Sequence, residues 1–353
     1  MQISLTNSAF KTPQIFPFCQ PFISQKPSTH QLSLQQNLHV NALKGSSSYL
    51  SDISKAIDHE EQYLQAQQKV NRKGVNLEGI TIEGVSVGGQ ETCIIVPQFK
   101  CAFDIGRCPK RAIQQDFVFI TNAHLDHIGG LPLYVASRGL YNLKPPTVFV
   151  PSWIKEDVEQ LIDIYRKLGQ VELNVELVAL DAGETYEMQN NLVVRPFRTQ
   201  HVIPSQGYVI YSIRKKLKKE YTHLNENQVE KLKESGEEIT DNILSPEVAF
   251  TGDTTSDFYH DPLNADALKA KVLITEATFL DDSSSIDHAR QYGHTHIFEI
   301  MEKGNRISNK AVLLTHFSSR YNIEDIRQAA SKLQSKLSAK VVPLTEGFKS
   351  KHS

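Results

Sequence analysis

Residues 117–134 read FVFITNAHLDHIGGLPLY. The apolar run 117–120 has the length and the β-branched and aromatic content of a buried strand. It feeds a short loop carrying Asn122, His124, Asp126 and His127, and Gly129 and Gly130 then let the backbone turn tightly into a helix. Imidazole and carboxylate groups at this spacing, on a strand-to-helix turn, can converge on borderline or hard metal ions. A lone histidine is more often a satisfied structural residue. Three ligand-type side chains within four positions form a metal-site pattern.

Three later stretches repeat the arrangement. RPFRTQHVIPSQGYVIY puts His201 past one apolar run, FTGDT puts Asp253 past another, and LLTHFSSRY puts His316 past a third. Open α/β sheets place their ligands outside the carboxyl ends of strands, where these residues would stand. The two residue types just after His316 that can bind phosphate, Ser318 and Arg320, are contact candidates, with a capping role as the alternative.

Around these sites the chain alternates. Strand-like runs are expected at 80–87, 92–96, 117–120, 147–150, 175–180, 192–194, 207–213, 248–250, 272–274, 312–314 and 341–343. Residues 155–168 predict a helix with Val158, Leu161, Ile162 and Tyr165 on one face. A last helix should start at Asn322 as N-cap, carry Asp325 at its third position and run towards Leu337. The fold class is therefore α/β or α+β, in one domain of residues 75–353.

The whole chain carries 38 Lys+Arg against 40 Asp+Glu, a net charge of −2 that excludes a uniformly basic nucleic-acid binder. No stretch approaches the roughly 20 consecutive apolar residues of a membrane helix. Four cysteines without a CxxC pair are too few for a disulfide framework and favour a reducing compartment. The averages hide two unlike segments. Residues 1–51 hold three Lys, no Arg and no acidic residue, among many Ser, Thr, Gln, Asn and Pro. An acid-poor, hydroxyl-rich leader reads as an organelle transit peptide, and the lack of Arg favours the plastid stroma over the mitochondrion, with the cytoplasm as the other alternative. Residues 52–74 read as a linker or helical lead-in. The second segment, 214–245, is charged and lacks a core-facing strand pattern, and it opens with a basic cluster of Arg214, Lys215, Lys216, Lys218 and Lys219. It reads as a protruding insertion able to contact a polyanion, against the blander reading of a solvated helix or loop.

From about Gly79 onward the chain resembles the metallo-β-lactamase superfamily and, within it, the short-form tRNase Z (tRNA 3′-processing endonuclease) family of plant type. The resemblance rests on GVSVGGQETC, FITNAHLDHIGGLPLY, RPFRTQHVIPSQGYVIY, AFTGDTT, ITEATFLD, GHTHI and LLTHFSSRY. It implies a four-layer αββα sandwich with two Zn2+ or Mn2+ ions at one edge of the sheets. His124 and His201 would hold one metal, Asp126, His127 and His316 the other, and Asp253 would bridge them. It also implies that His294 in GHTHI protonates the leaving group, that Glu276 in TEAT supports it, and that the 214–245 segment is a basic arm gripping precursor tRNA. Relatives of this type commonly dimerise, and no membrane partner is implied. The family motif is HxHxDH, and this chain has Asn122 where the first histidine belongs, which would leave the first metal with three protein ligands and a weakened site.

The resemblance implies cleavage just 3′ of the discriminator nucleotide, leaving a tRNA 3′-OH, with Asp126 orienting the nucleophile as well as binding metal. Two other readings stay open. One is a catalytically weakened tRNA-binding paralogue, because of Asn122. The other is a small-ester or thioester metallo-hydrolase of the same superfamily.

Overall fold

The computed structural model describes residues 74–351. The proposed leader, and the lead-in except for Gly74, lie outside the described residues. In chain order the strands are β1 (Val75–Leu77), β2 (Ile80–Gly88), β3 (Glu91–Val96), β4 (Cys101–Phe103), β5 (Phe117–Phe119), β6 (Thr147–Val150), β7 (Glu176–Ala179) and β8 (Tyr186–Met188), followed by β9 (Leu192–Arg198), β10 (Gln206–Leu217), β11 (Thr240–Phe250), β12 (Val272–Glu276), β13 (Ala311–Thr315), β14 (Phe317–Ser318) and β15 (Lys340–Pro343).

They form two mixed sheets. One runs β1 to β7 in chain order with β14 added to β2, and the other runs β15-β13-β12-β11-β10-β9-β8. In each, an antiparallel half passes into a parallel half, at β4 in the first sheet and at β11 in the second. Period-two alternation on the parallel strands sends side chains to two different cores. Phe117 and Phe119 face a core shared with Tyr208, Phe250, Ile274 and Leu313 of the other sheet. Val118 and Ile120 face the opposite way, against helices Leu131–Leu140 and Ser152–Gly169. On the far sheet, Val312 and Leu314 pack with Ile300, Ile326 and Leu333 of helices Ile297–Lys303 and Ile323–Gln334. The result is the four-layer αββα sandwich, and it explains why these strands are apolar throughout.

The last helix is capped as expected. Asn322 Oδ1 accepts from the backbone N–H of Glu324 and Asp325 at 3.1 and 3.0 Å, and Asp325 returns the bond to close a capping box. The helix stops at Gln334, three residues before Leu337. Helix Ser152–Gly169 is longer than predicted and buries Ile154, Val158 and Ile162, a row spaced by four. Leu161 is half-buried and Tyr165 is exposed, because the last turns run past that buried row.

The 214–245 segment differs most from its sequence reading. β10 and β11 run on beyond the sheet as an antiparallel pair from Tyr208↔Phe250 to Leu217↔Thr240. β9 leaves β10 after Ser212, so the outer part is a two-stranded ribbon. A helix at Glu226–Glu234, with a capping box on Asn225, forms its far end. The strand signal is missing from the sequence because only Ile213 and Leu244, at the base of the ribbon, pack on a core, and the residues beyond them are largely exposed; backbone pairing continued from the sheet sets the conformation. The segment also holds seven acidic residues against seven Lys and Arg, so only its first strand is basic.

Candidate metal centre

Every candidate metal ligand stands just past the carboxyl end of a strand. His124, Asp126 and His127 follow β5, His201 follows β9, Asp253 follows β11 and His316 follows β13, while Glu276 is the last residue of β12. Asp104 and His316 both sit in left-handed backbone at φ 58°, a conformation that costs a non-glycine residue about 1–3 kcal/mol and clusters at functional sites.

The structure brings these side chains together. His124, His201 and Asp253 form one group of ligand atoms within 4.8 Å of one another, and Asp126, His127 and His316 form another. Asp253 joins the two, with Oδ2 3.0 Å from His127 Nε2 and 3.6 Å from His201 Nε2, and Oδ1 3.4 Å from His316 Nε2. His201 Nε2 faces His124 Nδ1 at 3.2 Å. His316 Nε2 lies 3.4 Å from Asp126 Oδ2, which also accepts the Gly89 N–H at 2.9 Å.

The donor set fits divalent metal. His127 Nδ1 donates to Asp104 Oδ2 at 2.8 Å and His201 Nδ1 donates to the Gly293 carbonyl at 2.8 Å. His316 Nδ1 meets Thr278 Oγ1 at 3.2 Å. Each ring is therefore held from behind and turns Nε2 inwards, the arrangement that outer partners impose on metal-binding histidines. Although His127 Nε2 is 3.0 Å from Asp253, the two are not aligned as a hydrogen bond, and His127 Nε2 and Asp253 Oδ1 are both buried without a hydrogen-bond partner. Buried polar atoms seldom go unpaired. Imidazole nitrogens this close to a carboxylate require positive charge, from protons or from a cation. Burial opposes charge here, yet Asp253 and Asp104 hold His127 well above the ordinary histidine range, and His127 and His316 hold Asp253 well below the usual carboxylate range.

His294 stands beside this centre with a different support. Its Nδ1 meets Glu276 Oε1 at 3.0 Å. Glu276 is buried and fixed by the N–H groups of Thr254 at 2.7 Å and Thr295 at 3.1 Å and by the Thr278 hydroxyl at 2.5 Å. Burial lowers the His294 pKa, but Glu276 and Asp253 outweigh it and bring it to about 9. The ring is thus equipped to carry a proton. Gly293, at φ 73°, is required next to it, since a Cβ there would lie 2.6 Å from His201 Nδ1.

Other expected site residues have different surroundings. Asn122 is buried outside the ligand groups, with Oδ1 accepting the His124 N–H at 2.9 Å and Nδ2 donating to Thr121 Oγ1 at 3.3 Å. Arg320 donates to Ser318 at 3.1 Å and to Ser284 at 3.0 Å, and its guanidinium lies over the Phe279 ring. Arg214 is tied to the buried Glu247 at 2.9 Å, while Lys215, Lys216 and Lys219 are exposed and Lys218 is half-buried. Asp104 was not found by sequence reasoning. Its only signal was a lone carboxylate in the apolar run CAFDIG, just past the end of a strand too short to notice.

Two packed mixed sheets whose strand ends converge His and Asp side chains define a β-lactamase superfamily hydrolase fold. The family described as "Beta-lactamase superfamily domain" matches residues 101–317. The Bacillus subtilis metallo-beta-lactamase fold protein YhfI matches 76% of this chain and 97% of its own at a TM-score of 0.51 and 16% identity, a likeness of fold alone. Sequence relatives narrow the class. "tRNase Z TRZ2, chloroplastic" of Arabidopsis thaliana is 63% identical, with both chains covered in full. "tRNase Z TRZ1" of the same organism is 59% identical over 74% of this chain and 93% of its own. The chain belongs to the tRNase Z family.

Proposed function

We propose that this chain is a metal-dependent endoribonuclease that removes the 3′ trailer from precursor tRNAs, acting in the chloroplast as a short-form enzyme of plant type. The observation that carries the reading is the convergence of four histidines and two aspartates on the buried, unpaired Oδ1 of Asp253 and Nε2 of His127. His124, His201 and Asp253 would hold one ion, and Asp126, His127, His316 and Asp253 a second, zinc or manganese. Two such ions supply charge neutralisation on a phosphodiester and make water nucleophilic near neutral pH.

The chain's own residues supply the rest. Asp126, anchored by the Gly89 N–H, orients the attacking water. The bond broken joins phosphorus to the 3′-oxygen of the discriminator nucleotide. His294 gives its proton to that departing oxygen, so the tRNA keeps a 3′-OH and the trailer a 5′-phosphate. Glu276 holds the imidazole charged until then. Arg320 and Ser318, in the same motif as His316, would meet flanking phosphates. Lys215 and Lys216 on β10, and Lys218 and Lys219 just beyond its end, contact the tRNA body. The leader, residues 1–51, acts as a plastid transit peptide, the catalytic domain starts near residue 75, and two copies pair as a homodimer.

Purified chain incubated with a 3′-extended tRNA and zinc or manganese should release the intact trailer, with end mapping showing a 3′-OH after the discriminator nucleotide. Hydrolysis of small thioesters with the tRNA left whole would contradict the proposal.

A further inference from the structure

A train of aromatic rings leads from His294 to the surface. Phe279 lies 6.3 Å from His294, His288 lies 5.4 Å from Phe279, and Tyr292 lies 4.7 Å from His288, centroid to centroid. The inner members are packed: Phe279 is 5% exposed and is covered by the Arg320 guanidinium at 5.3 Å. The outermost, Tyr292, is 53% exposed. Its backbone is nonetheless fixed. Helix Ile286–Gln291 ends there, with the N–H groups of Tyr292, Gly293 and His294 donating to the carbonyls of His288, Arg290 and Ala289 at 3.2, 3.0 and 2.9 Å. The Gly293 carbonyl holds His201. Tyr292 and His294 are two residues apart, so their Cα atoms are within about 7 Å.

An aromatic ring on a fixed backbone, backed by a second ring, half exposed and two residues from the proton donor is a platform for a nucleobase. Unpaired bases at RNA ends are bound chiefly by stacking on such rings. We infer that Tyr292, backed by His288, stacks the base of the discriminator nucleotide. The assignment to that nucleotide rests on the reaction proposed above. His294 protonates the 3′-oxygen of the discriminator ribose, and the base of the same nucleoside is the one that reaches a ring two residues from His294. Tyr292 is a positioning residue: it sets where the scissile 3′-oxygen stands relative to His294. Because stacking uses the ring face, it tolerates any base and does not need the Tyr292 hydroxyl.

The test pairs Tyr292→Ala and Tyr292→Phe with three 3′-extended tRNAs: the natural one, one abasic at the discriminator and one abasic at the first trailer nucleotide. Tyr292→Ala should lower kcat/KM on the natural substrate about 5- to 100-fold, the range of one lost base–aromatic stack, and Tyr292→Phe should stay near wild type. The abasic discriminator should cost the wild type a similar factor and cost Tyr292→Ala little more, since the two changes remove one contact. The abasic trailer nucleotide should penalise both proteins equally. Unchanged thermal melting of Tyr292→Ala separates a lost contact from a lost fold. Independent losses at the discriminator, coupling to the trailer base instead, or a Tyr292→Ala variant as efficient as wild type would each overturn the stacking while leaving the reaction intact. A wild type that leaves the natural substrate whole would overturn the reaction and this assignment with it.

Discussion

Three imidazoles crowd the carboxylate of Asp253, and each is braced from behind by a different kind of acceptor: a carboxylate, a backbone carbonyl and a threonine hydroxyl. The carboxylate brace, Asp104, is buried, and three further contacts from Thr121 fix its two oxygens. Asp104→Asn keeps the shape but weakens the acceptor. It should lower divalent-metal affinity about 10- to 100-fold, measured by competition with a chelating dye. Unchanged affinity would show that His127 needs no brace. His294 gives a pH prediction. Its protonated form is the active one, so the rate should fall as pH rises through its pKa. That value is about 9 in the metal-free chain and lower once a cation sits nearby. Glu276→Gln removes the anion that raises it, so the alkaline limb of kcat/KM should move to lower pH, and His294→Ala should lose about 10²–10⁴ in rate. A limb that stays in place would assign the proton to another group.

At the scale of elements, legibility followed burial. Runs such as 147–150 matched their strand to the residue because alternation feeds two cores. The ribbon at 213–217 and 240–244 was invisible, since its pairing is inherited from the sheet and no side-chain periodicity records it. Its charge was misleading as well: the acids that balance the lysines lie mostly on the far helix and the loops flanking it. Contact with tRNA through Lys215, Lys216, Lys218 and Lys219 still predicts a salt effect. Changing all four to Glu should weaken binding and flatten the plot of log affinity against log salt, each lost phosphate contact removing about 0.7–0.9 from the slope. An unchanged slope would make the ribbon a solvated surface.

For the whole molecule, the two sheets matter because they bring the ends of strands far apart in sequence to one place. His124 and His316 are almost two hundred positions apart, yet both face the carboxylates of one centre. The residue types past each strand were readable in the sequence; their distances were not, nor was the work done by Asn122. Its oxygen is engaged by the His124 N–H, so it holds the loop in shape, and the first ligand group stands on His124, His201 and Asp253 alone. Three protein ligands can hold a catalytic ion.

The most direct test is therefore metal content per chain, measured together with trailer cleavage, for wild type, Asp253→Ala and Asn122→His. Wild type should bind divalent metal and cleave, chelation should stop cleavage, Asp253→Ala should lose both, and Asn122→His should not be needed for either. Cleavage that survives chelation, or that Asp253→Ala leaves intact, would contradict the assigned centre.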